Sequence, residues 1–522
     1  MLSSYNLGME TTDFDLEKAL FEKTQQCSSL EKKVISLEAQ LDWFKRQLFG
    51  RKSEKWIEPN PEQPDLFKEL LDQSKAAHKT EPKIKVAPHE RKKKIVEDSP
   101  NDSGLRFDSS VPVKEIRIAN PVLDANPDDY YIVSEKTTYR LAQRPSSYIV
   151  LKYIRQVAKR KKDAQIITPQ APGNVLEKSF ADVSLLAGLL VDKFDYHMPL
   201  YRQHRRMQQS GLTLSRATLT NLVFRAILLL KPIHQAILKS ILCGKHIAID
   251  ETPIRYGRKS KGKMKQGYYW PLYGEQDEIY FHFSPTRASR VVYDLLGDNY
   301  DGTLITDGYQ AYEKYANKVK TATRAQCWAH SRRGFDKSLK SEPECAEHAL
   351  QVIAAIYAIE QDIIDLGLHG DKKRDHRQKF SKPIVDQYFK WIEEQRLRTD
   401  LLNSDPYARA LVYSHDRERA MRVFLDNPDV PLDTNHLERG LRPIPMGKKA
   451  WLFAWTEVGA EHVGIIQSLI STCKLHDVDP YTYLVDVLQR VSLHPASKVD
   501  ELTPRNWKKR FADNPMKSDL CK

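Results

Sequence analysis

Two apolar runs in this chain stop abruptly on an aspartate, and that pattern narrows the possible folds sharply. Ile247-Ala248-Ile249 leads into Asp250, and Thr303-Leu304-Ile305-Thr306 leads into Asp307. Short unbroken runs of β-branched and apolar residues read as strands buried on both faces. A carboxylate at the end of such a strand is costly to bury unless something pairs with it. One strand-end aspartate is ordinary, a turn or cap residue. Two of them point to a shared role.

Further strands are predicted at Tyr268–Tyr273 and Glu278–Phe283, and a helix at Arg290–Leu296. Three successive strands, a helix and another strand form the opening of a ribonuclease H-like α/β fold. A third acid completes the set. Asn435, Glu438 and Arg442 are spaced by 3 and 4, so they share one face of a helix that Pro443 is expected to stop. Three oxygen ligands converging from two strand ends and a helix suit a hard cation, magnesium or manganese. Two such ions about 4 Å apart can activate an attacking oxygen and stabilise the leaving oxygen of a phosphodiester. In that arrangement Asp250 bridges the metals, while Asp307 and Glu438 each hold one side. The separations are 307 − 250 = 57 and 438 − 307 = 131 residues. The longer gap leaves room for a helical insertion.

Upstream, Leu30, Val34, Leu37, Leu41, Phe44 and Leu48 step by 4, 3, 4, 3, 4, the seam of a coiled coil. Leu16, Leu20 and Cys27 extend it, and Lys23 interrupts it. Residues 1–50 are therefore read as a self-associating helix; a single amphipathic helix packed on its own domain is the plainer alternative. Residues 51–110 read as a basic, partly disordered linker. Its Arg91-Lys92-Lys93-Lys94 cluster could touch phosphates or simply be solvated. Residues 111–162 alternate as strands do and suggest a small β-subdomain. Residues 163–240 return to helical spacing, first with Leu185, Leu186, Leu189 and Leu190. A second helix near Tyr201–Gln209, Gly211, an N-cap at Ser215 and a helix over Arg216–Leu230 then make a helix-turn-helix pattern. There Arg216, Thr218, Asn221 and Arg225 could face DNA.

The expected architecture is multidomain α+β. The catalytic core begins at 241–345, a helical insertion fills 346–425, and the closing helix of the core lies in 426–460. Residues 461–522 form a C-terminal helical segment with a basic tail. With 522 residues the chain can build three or more folding units. Lys and Arg number 82 against 69 Asp and Glu, a net +13 that favours a polyanionic partner, nucleic acid before membrane. The six cysteines lack paired spacing, so a reducing cytoplasm is expected rather than a disulfide framework. No secretory leader is read, and apolar stretches such as Ala226–Leu230 fall short of the roughly 20 residues that span a bilayer. Cys327 and His330 form half of a zinc motif without a second pair, which reads as structural. Arg332, Arg333, Arg439, Arg442, Lys448 and Lys449 are candidates for phosphate contacts. Trp451 and Trp455 could stack on a base or belong to the core, the core being favoured.

Several blocks carry a resemblance. DETPI at 250–254, DGYQAY at 307–312, CWAHSRR at 327–333 and DTNHLERGLRP at 433–443 resemble those around the acids of insertion sequence 66 family transposases. KKAWLFA at 448–454, LISTCKLHDVDPYTYL at 469–484 and ELTPRNW at 501–507 continue the match. So do LFGRKSEK at 48–55, HMPLYRQ at 197–203 and SGLTLSRATL at 210–219. The resemblance touches nearly the whole chain. It implies a DDE transposase with Asp250, Asp307 and Glu438 as its acids, using Mg2+ (Mn2+ able to substitute). Such an enzyme binds the terminal inverted repeats of its element, cleaves the ends and joins the 3′-hydroxyls to target DNA. It also implies double-stranded DNA as partner, a homo-oligomer of at least two chains, a cytoplasmic, nucleoid-associated location, and room for small accessory proteins of the same element. A non-catalytic repressor derived from a transposase, or a nuclease without joining activity, are the alternatives. Two departures stand out. The family's cysteine-rich finger is missing, since no cysteine lies between Cys27 and Cys243, so no zinc is expected there. Thr434 stands where an asparagine is usual.

Overall fold

The computed structural model describes Lys23 and residues 105–144, 147–260, 262–452, 454 and 456–521. The chain divides into two compact units, residues 1–98 and 99–522. The coiled-coil seam, the linker as far as residue 104 with its Arg91–Lys94 cluster, and Trp455 lie outside the described residues; Lys23 is helical and exposed. The second unit is mixed α/β and ends in helices.

Its first strand, β1 (Arg106–Phe107), pairs with a short strand at Leu212–Thr213, and Leu105 beside it is fully buried. The last residues of the expected linker therefore already belong to the folded core. β2 (Val113–Ile118), β3 (Tyr130–Arg144), β4 (Ser147–Arg160) and β5 (Ile166–Ile167) make a sheet in the order β2-β4-β3, with β5 on β4. Their β-branched and aromatic residues suit a pleated, half-buried surface. Leu141, Tyr148 and Val150 join the main core, while Ala142, Leu151 and Tyr153 form a second, small core capped by Leu520.

Helix α1 (Val183–Phe194) is apolar on nearly every side and accordingly buried, with Asp182 accepting the Ser184 N–H at 2.9 Å as its N-cap. After α2 (Leu200–Gln209) and β6 (Leu212–Thr213) comes α3 (Arg216–Leu242), where the Ser215 Oγ accepts the Thr218 N–H at 3.0 Å. The sequence places the end of α3 at Leu230, but the helix continues through Lys231-Pro232 to Leu242. Pro232 removes one N–H and frees the Leu228 carbonyl, and both residues are exposed, so water can satisfy it. Ile233, Ile237 and Ile241 keep the buried stripe running past the proline. By length and composition α3 could cross a membrane, yet half of its apolar stretch is buried within the protein.

The central sheet contains β7 (His246–Ile249), β8 (Thr252–Ser260), β9 (Lys263–Gly274), β10 (Glu278–Ser284), β11 (Gly302–Thr306) and β12 (Ala322–Gln326). Its order is β10-β9-β7-β11-β12, with β8 also on β9. β10, β9 and β7 run antiparallel to one another, whereas β11 lies parallel to β7 and β12 parallel to β11. Helices α4 (Arg290–Leu296) and α5 (Gln310–Lys318) make the connections. Strands β8 and β12 are absent from the sequence reading.

Helix α6 (Trp328–Ser338) opens a helical layer with α7 (Pro343–Asp365), α8 (Lys382–Arg396), α9 (Pro406–His415) and α10 (Glu418–Asp426). Trp328, Phe335, Tyr388 and Tyr407 fill its interior. Then follow α11 (Asn435–Leu441), α12 (Pro443–Trp451), α13 (Glu457–Leu475), α14 (Pro480–Arg490) and α15 (Pro504–Arg510). Pro443 ends α11 as expected but also begins α12, because a first-turn residue needs no N–H. α13 covers β10. The Phe281 and Ile279 N–H groups donate to Ser468 Oγ at 2.8 Å and Thr472 Oγ1 at 3.2 Å, which closes that sheet edge.

Candidate active site

β7 and β8 pair with the same side of β9 in one unbroken register, Ile249 opposite Leu272 and Thr252 opposite Tyr269. Asp250 and Glu251 occupy the gap between them. The Asp250 N–H donates to the Pro271 carbonyl at 3.4 Å, and Pro271 has no N–H to return the bond. The ladder therefore opens where the acids sit. β11 lies parallel to β7, so its C-terminal end brings Asp307 to the same place. Carboxylate oxygens of Asp250, Glu251 and Asp307 lie within 4.8 Å of one another.

The backbone holds two of these acids: Asp250 Oδ1 accepts the Glu251 N–H at 2.7 Å, and Asp307 Oδ1 accepts the Tyr309 N–H at 2.9 Å. Burial, then the neighbouring Asp307 carboxylate, pushes the Asp250 pKa up to about 7. Glu251 is raised by burial as well, opposed by the Tyr312 hydroxyl and the Arg287 guanidinium that bond to it. Arg287 also stacks 4.1 Å over the Tyr309 ring. Glu251 is the member of this cluster that sequence reasoning missed. Strand alternation sets consecutive residues on opposite faces, and only the break in the ladder lets two adjacent acids serve one spot.

Glu438 arrives on α11. The segment leading into it is tied to the end of β12 by two bonds, Trp328 N–H to Leu432 O at 3.1 Å and Thr434 N–H to Cys327 Sγ at 3.3 Å, and Cys327 N–H in turn donates to Thr306 O at the end of β11 at 3.1 Å. Burial pushes the Cys327 thiol up, which keeps it in its neutral form. His330, the other half of the CxxH pair, instead points its Nε2 to within 3.9 Å of Glu438 Oε1.

Asp250 and Glu438 line one cleft of about 440 Å³ together with His330, Arg333, Asn435, Arg439 and Arg442. Glu438 is not part of the three-acid cluster; both its oxygens accept from Arg333, one at 2.6 Å. Arg439, Arg442, Arg332 and Lys449 are exposed, and Lys448 Nζ donates to the Pro253 carbonyl at 2.9 Å. Trp451 packs against the core. On α3, Arg216 and Asn221 are exposed, Arg216 lying 5.1 Å over the Tyr201 ring. Thr218 is half-buried and completes the Ser215 cap, while Arg225 donates to the Glu177 carbonyl at 3.2 Å. None of these four lines the cleft.

Residues 178–462, which carry all four acids and the cleft, match the family model described as "Transposase IS66 family". The chain belongs to the IS66 transposase family. Residues 468–505 match this family's C-terminal element, beginning at the Ser468 that bonds to β10. Residues 36–102 match a model described as "Transposase C of IS166 homeodomain". Two similar proteins come from Sinorhizobium fredii. The uncharacterized protein y4hP is 29% identical over 405 residues, covering 73% of this chain and 72% of its own length. The uncharacterized protein y4jD is 28% identical over 394 residues, covering 72% and 76%. Membership in this family implies a transposase role, and the homeodomain match implies DNA binding.

Proposed function

We propose that this transposase cuts and joins DNA by DDE chemistry, with Asp250, Asp307 and Glu438 holding divalent magnesium on a ribonuclease H-like core. The strand order β10-β9-β7-β11-β12, an antiparallel meander followed by two parallel strands, supports that reading of the core. The observation that carries the site is the meeting of Asp250, Glu251 and Asp307 at the broken ladder, with Asp250 raised to about 7 by burial and like charge. A hard cation fits such an oxygen donor set and removes that repulsion. Manganese would be accepted by the same oxygens. Bound there, the divalent ions lower the barrier to attack on the phosphodiester and to departure of the leaving oxygen.

The chain's own groups do the rest. Arg333 orients the Glu438 carboxylate from the cleft wall and keeps it neutralised until Glu438 turns toward Asp250. Arg439 and Arg442, exposed on the same cleft, receive the phosphates of the strand being cut. Arg216, Thr218 and Asn221 at the start of α3 contact the terminal inverted repeats, Arg225 bracing the helix through Glu177, with Arg332, Lys448 and Lys449 adding backbone contacts. Cleavage frees a 3′-hydroxyl at each end, and that hydroxyl attacks target DNA in the same site. Two ends must be held together, which is the work assigned to a coiled coil within residues 1–50 and to a homo-oligomer, acting at the nucleoid in the cytoplasm.

Changing Asp250, Asp307 or Glu438 to Ala is expected to abolish magnesium-dependent nicking of an end-containing duplex while end binding persists. Retained cleavage removes that residue from the catalytic set. The Arg333–Glu438 pairing is also compatible with a repressor that binds without cutting. In that case the unmodified chain shows end binding and no nicking at any magnesium concentration.

A further inference from the structure

Between Thr252 and Gly274 the chain carries six cations, Arg255, Arg258, Lys259, Lys261, Lys263 and Lys265, and no acid. All but Lys261, which lies outside the described residues, belong to the β8–β9 ribbon, which starts two residues after Asp250. The five described cations are all exposed, and among the described residues none of them takes part in an ion pair. An exposed basic strand is commonly just solvated, so charge alone decides nothing. The register does more. In an antiparallel pair, opposed residues share a face. Arg255 opposes Gln266 and Arg258 opposes Met264, so Arg255 and Arg258 share a face although they are three residues apart. Regular alternation would put them on opposite faces.

The cause is an irregularity between Tyr256 and Arg258, where Gly257 takes φ +48°, a left-handed conformation that suits glycine. A second follows between Arg258 and Ser260. Near these irregularities lies a concavity of about 460 Å³ lined by Arg255, Lys259, Gly262, Lys263 and Met264. Three of the exposed cations line it, with no carboxylate among the lining residues. At the ribbon's root, Lys448 Nζ bonds to the Pro253 carbonyl, three residues from Asp250. The basic surface thus begins at the acids and continues out along the ribbon.

We propose that the β8–β9 ribbon is a backbone-gripping arm, whose Arg255, Lys259 and Lys263 bind consecutive phosphates of duplex DNA beside the bond being cut. The ribbon reads no base: its contacts are electrostatic, and they fix the position of the duplex relative to Asp250. This inference rests on the proposed DNA-cutting role. Its test uses the full chain, a duplex containing the element's end, a random duplex of equal length, and a titration of salt.

Replacing Arg255, Lys259 and Lys263 together with Gln is expected to weaken binding of both duplexes equally. The slope of log K against log salt should fall by about 3, near one unit per lost phosphate contact. Single Lys259→Gln or Lys263→Gln variants should each lower it by about 1. The charge-keeping set Arg255→Lys, Lys259→Arg and Lys263→Arg should restore the slope, which separates lost charge from a damaged fold. An unchanged slope in the triple Gln variant, or weakening confined to the end-containing duplex, overturns the arm. If the unmodified chain binds no duplex, or Asp250→Asn nicks as well as the unmodified chain, the DNA-cutting reading falls and takes the arm with it.

Discussion

At the scale of single residues, Asp250 carries the sharpest consequence. Its folded-state pKa, about 7, lies above the usual carboxylate value. Between the two values the folded chain keeps a proton that the unfolded chain has lost, so stability falls as pH rises through that interval. The penalty is absent below pH 4 and complete above about pH 7. Asp250→Asn removes the charge at nearly constant shape. It is expected to raise the stability of the metal-free protein at pH 8 by on the order of 4 kcal/mol and to leave it unchanged near pH 4. Magnesium should raise the melting temperature of the unmodified protein at pH 8, and not that of the variant. Equal melting curves at pH 8 without metal would remove the like-charge account of this site. Glu251 is expected to matter to the metal as well. Glu251→Gln keeps partners for Tyr312 and Arg287 but lowers the ligand charge, so magnesium binding by calorimetry should weaken by roughly tenfold.

The same residues show what could be read at the level of elements. β7 and β11 were legible because an apolar run that stops on an acid fits the buried end of a strand better than any loop or exposed helix. β12 was not: its Ala-Thr-Arg-Ala-Gln offers little but two small apolar side chains, and its burial comes from parallel pairing with β11. β8 was hidden by its cations, which mark a loop as readily as a strand. The sequence ends α3 at Leu230, short of Leu242, because the exposure that makes Pro232 harmless is a tertiary fact. The candidate site was legible in the same uneven way. Asp250, Asp307 and the helix of Glu438 follow from pattern, whereas Glu251 and the Arg333 partner of Glu438 depend on a broken ladder and on a fold-dependent approach. One element offers a direct test. β10 is a sheet edge whose Phe281 N–H donates to a side chain, Ser468 Oγ at 2.8 Å. Ser468→Ala leaves that buried donor without a partner and is expected to cost about 1–3 kcal/mol in thermal or denaturant unfolding. Ser468→Thr should retain most of the stability, since Thr472 already presents its hydroxyl to the same strand.

Across the whole molecule, the helical layer between the second and third acids has to deliver α11 accurately, and one buried cation organises that delivery. Arg377 is fully buried. It makes a bidentate pair with Glu360 at 2.7 and 2.6 Å and donates to the carbonyls of Phe424, Asn427 and Val430. Those carbonyls belong to the end of α10 and the segment that follows. That segment runs on to Leu432, whose carbonyl takes the Trp328 N–H, and to Thr434, whose N–H meets Cys327. Arg377 therefore fixes the path along which Glu438 reaches the cleft without touching the cleft itself. Arg377→Met strands the Glu360 carboxylate and the four carbonyls of Phe424, Asn427, Pro428 and Val430, and should cost about 3–5 kcal/mol. Arg377→Met with Glu360→Leu removes both charges and should recover part of that loss in unfolding experiments. If Arg377 acts only through stability, the double variant nicks DNA normally at a temperature where it is fully folded. If it positions Glu438, the folded double variant still nicks slowly and binds magnesium as tightly as the unmodified protein at the Asp250–Asp307 oxygens. The second outcome is the expected one, because the carbonyls around Arg377 lose their anchor in both variants.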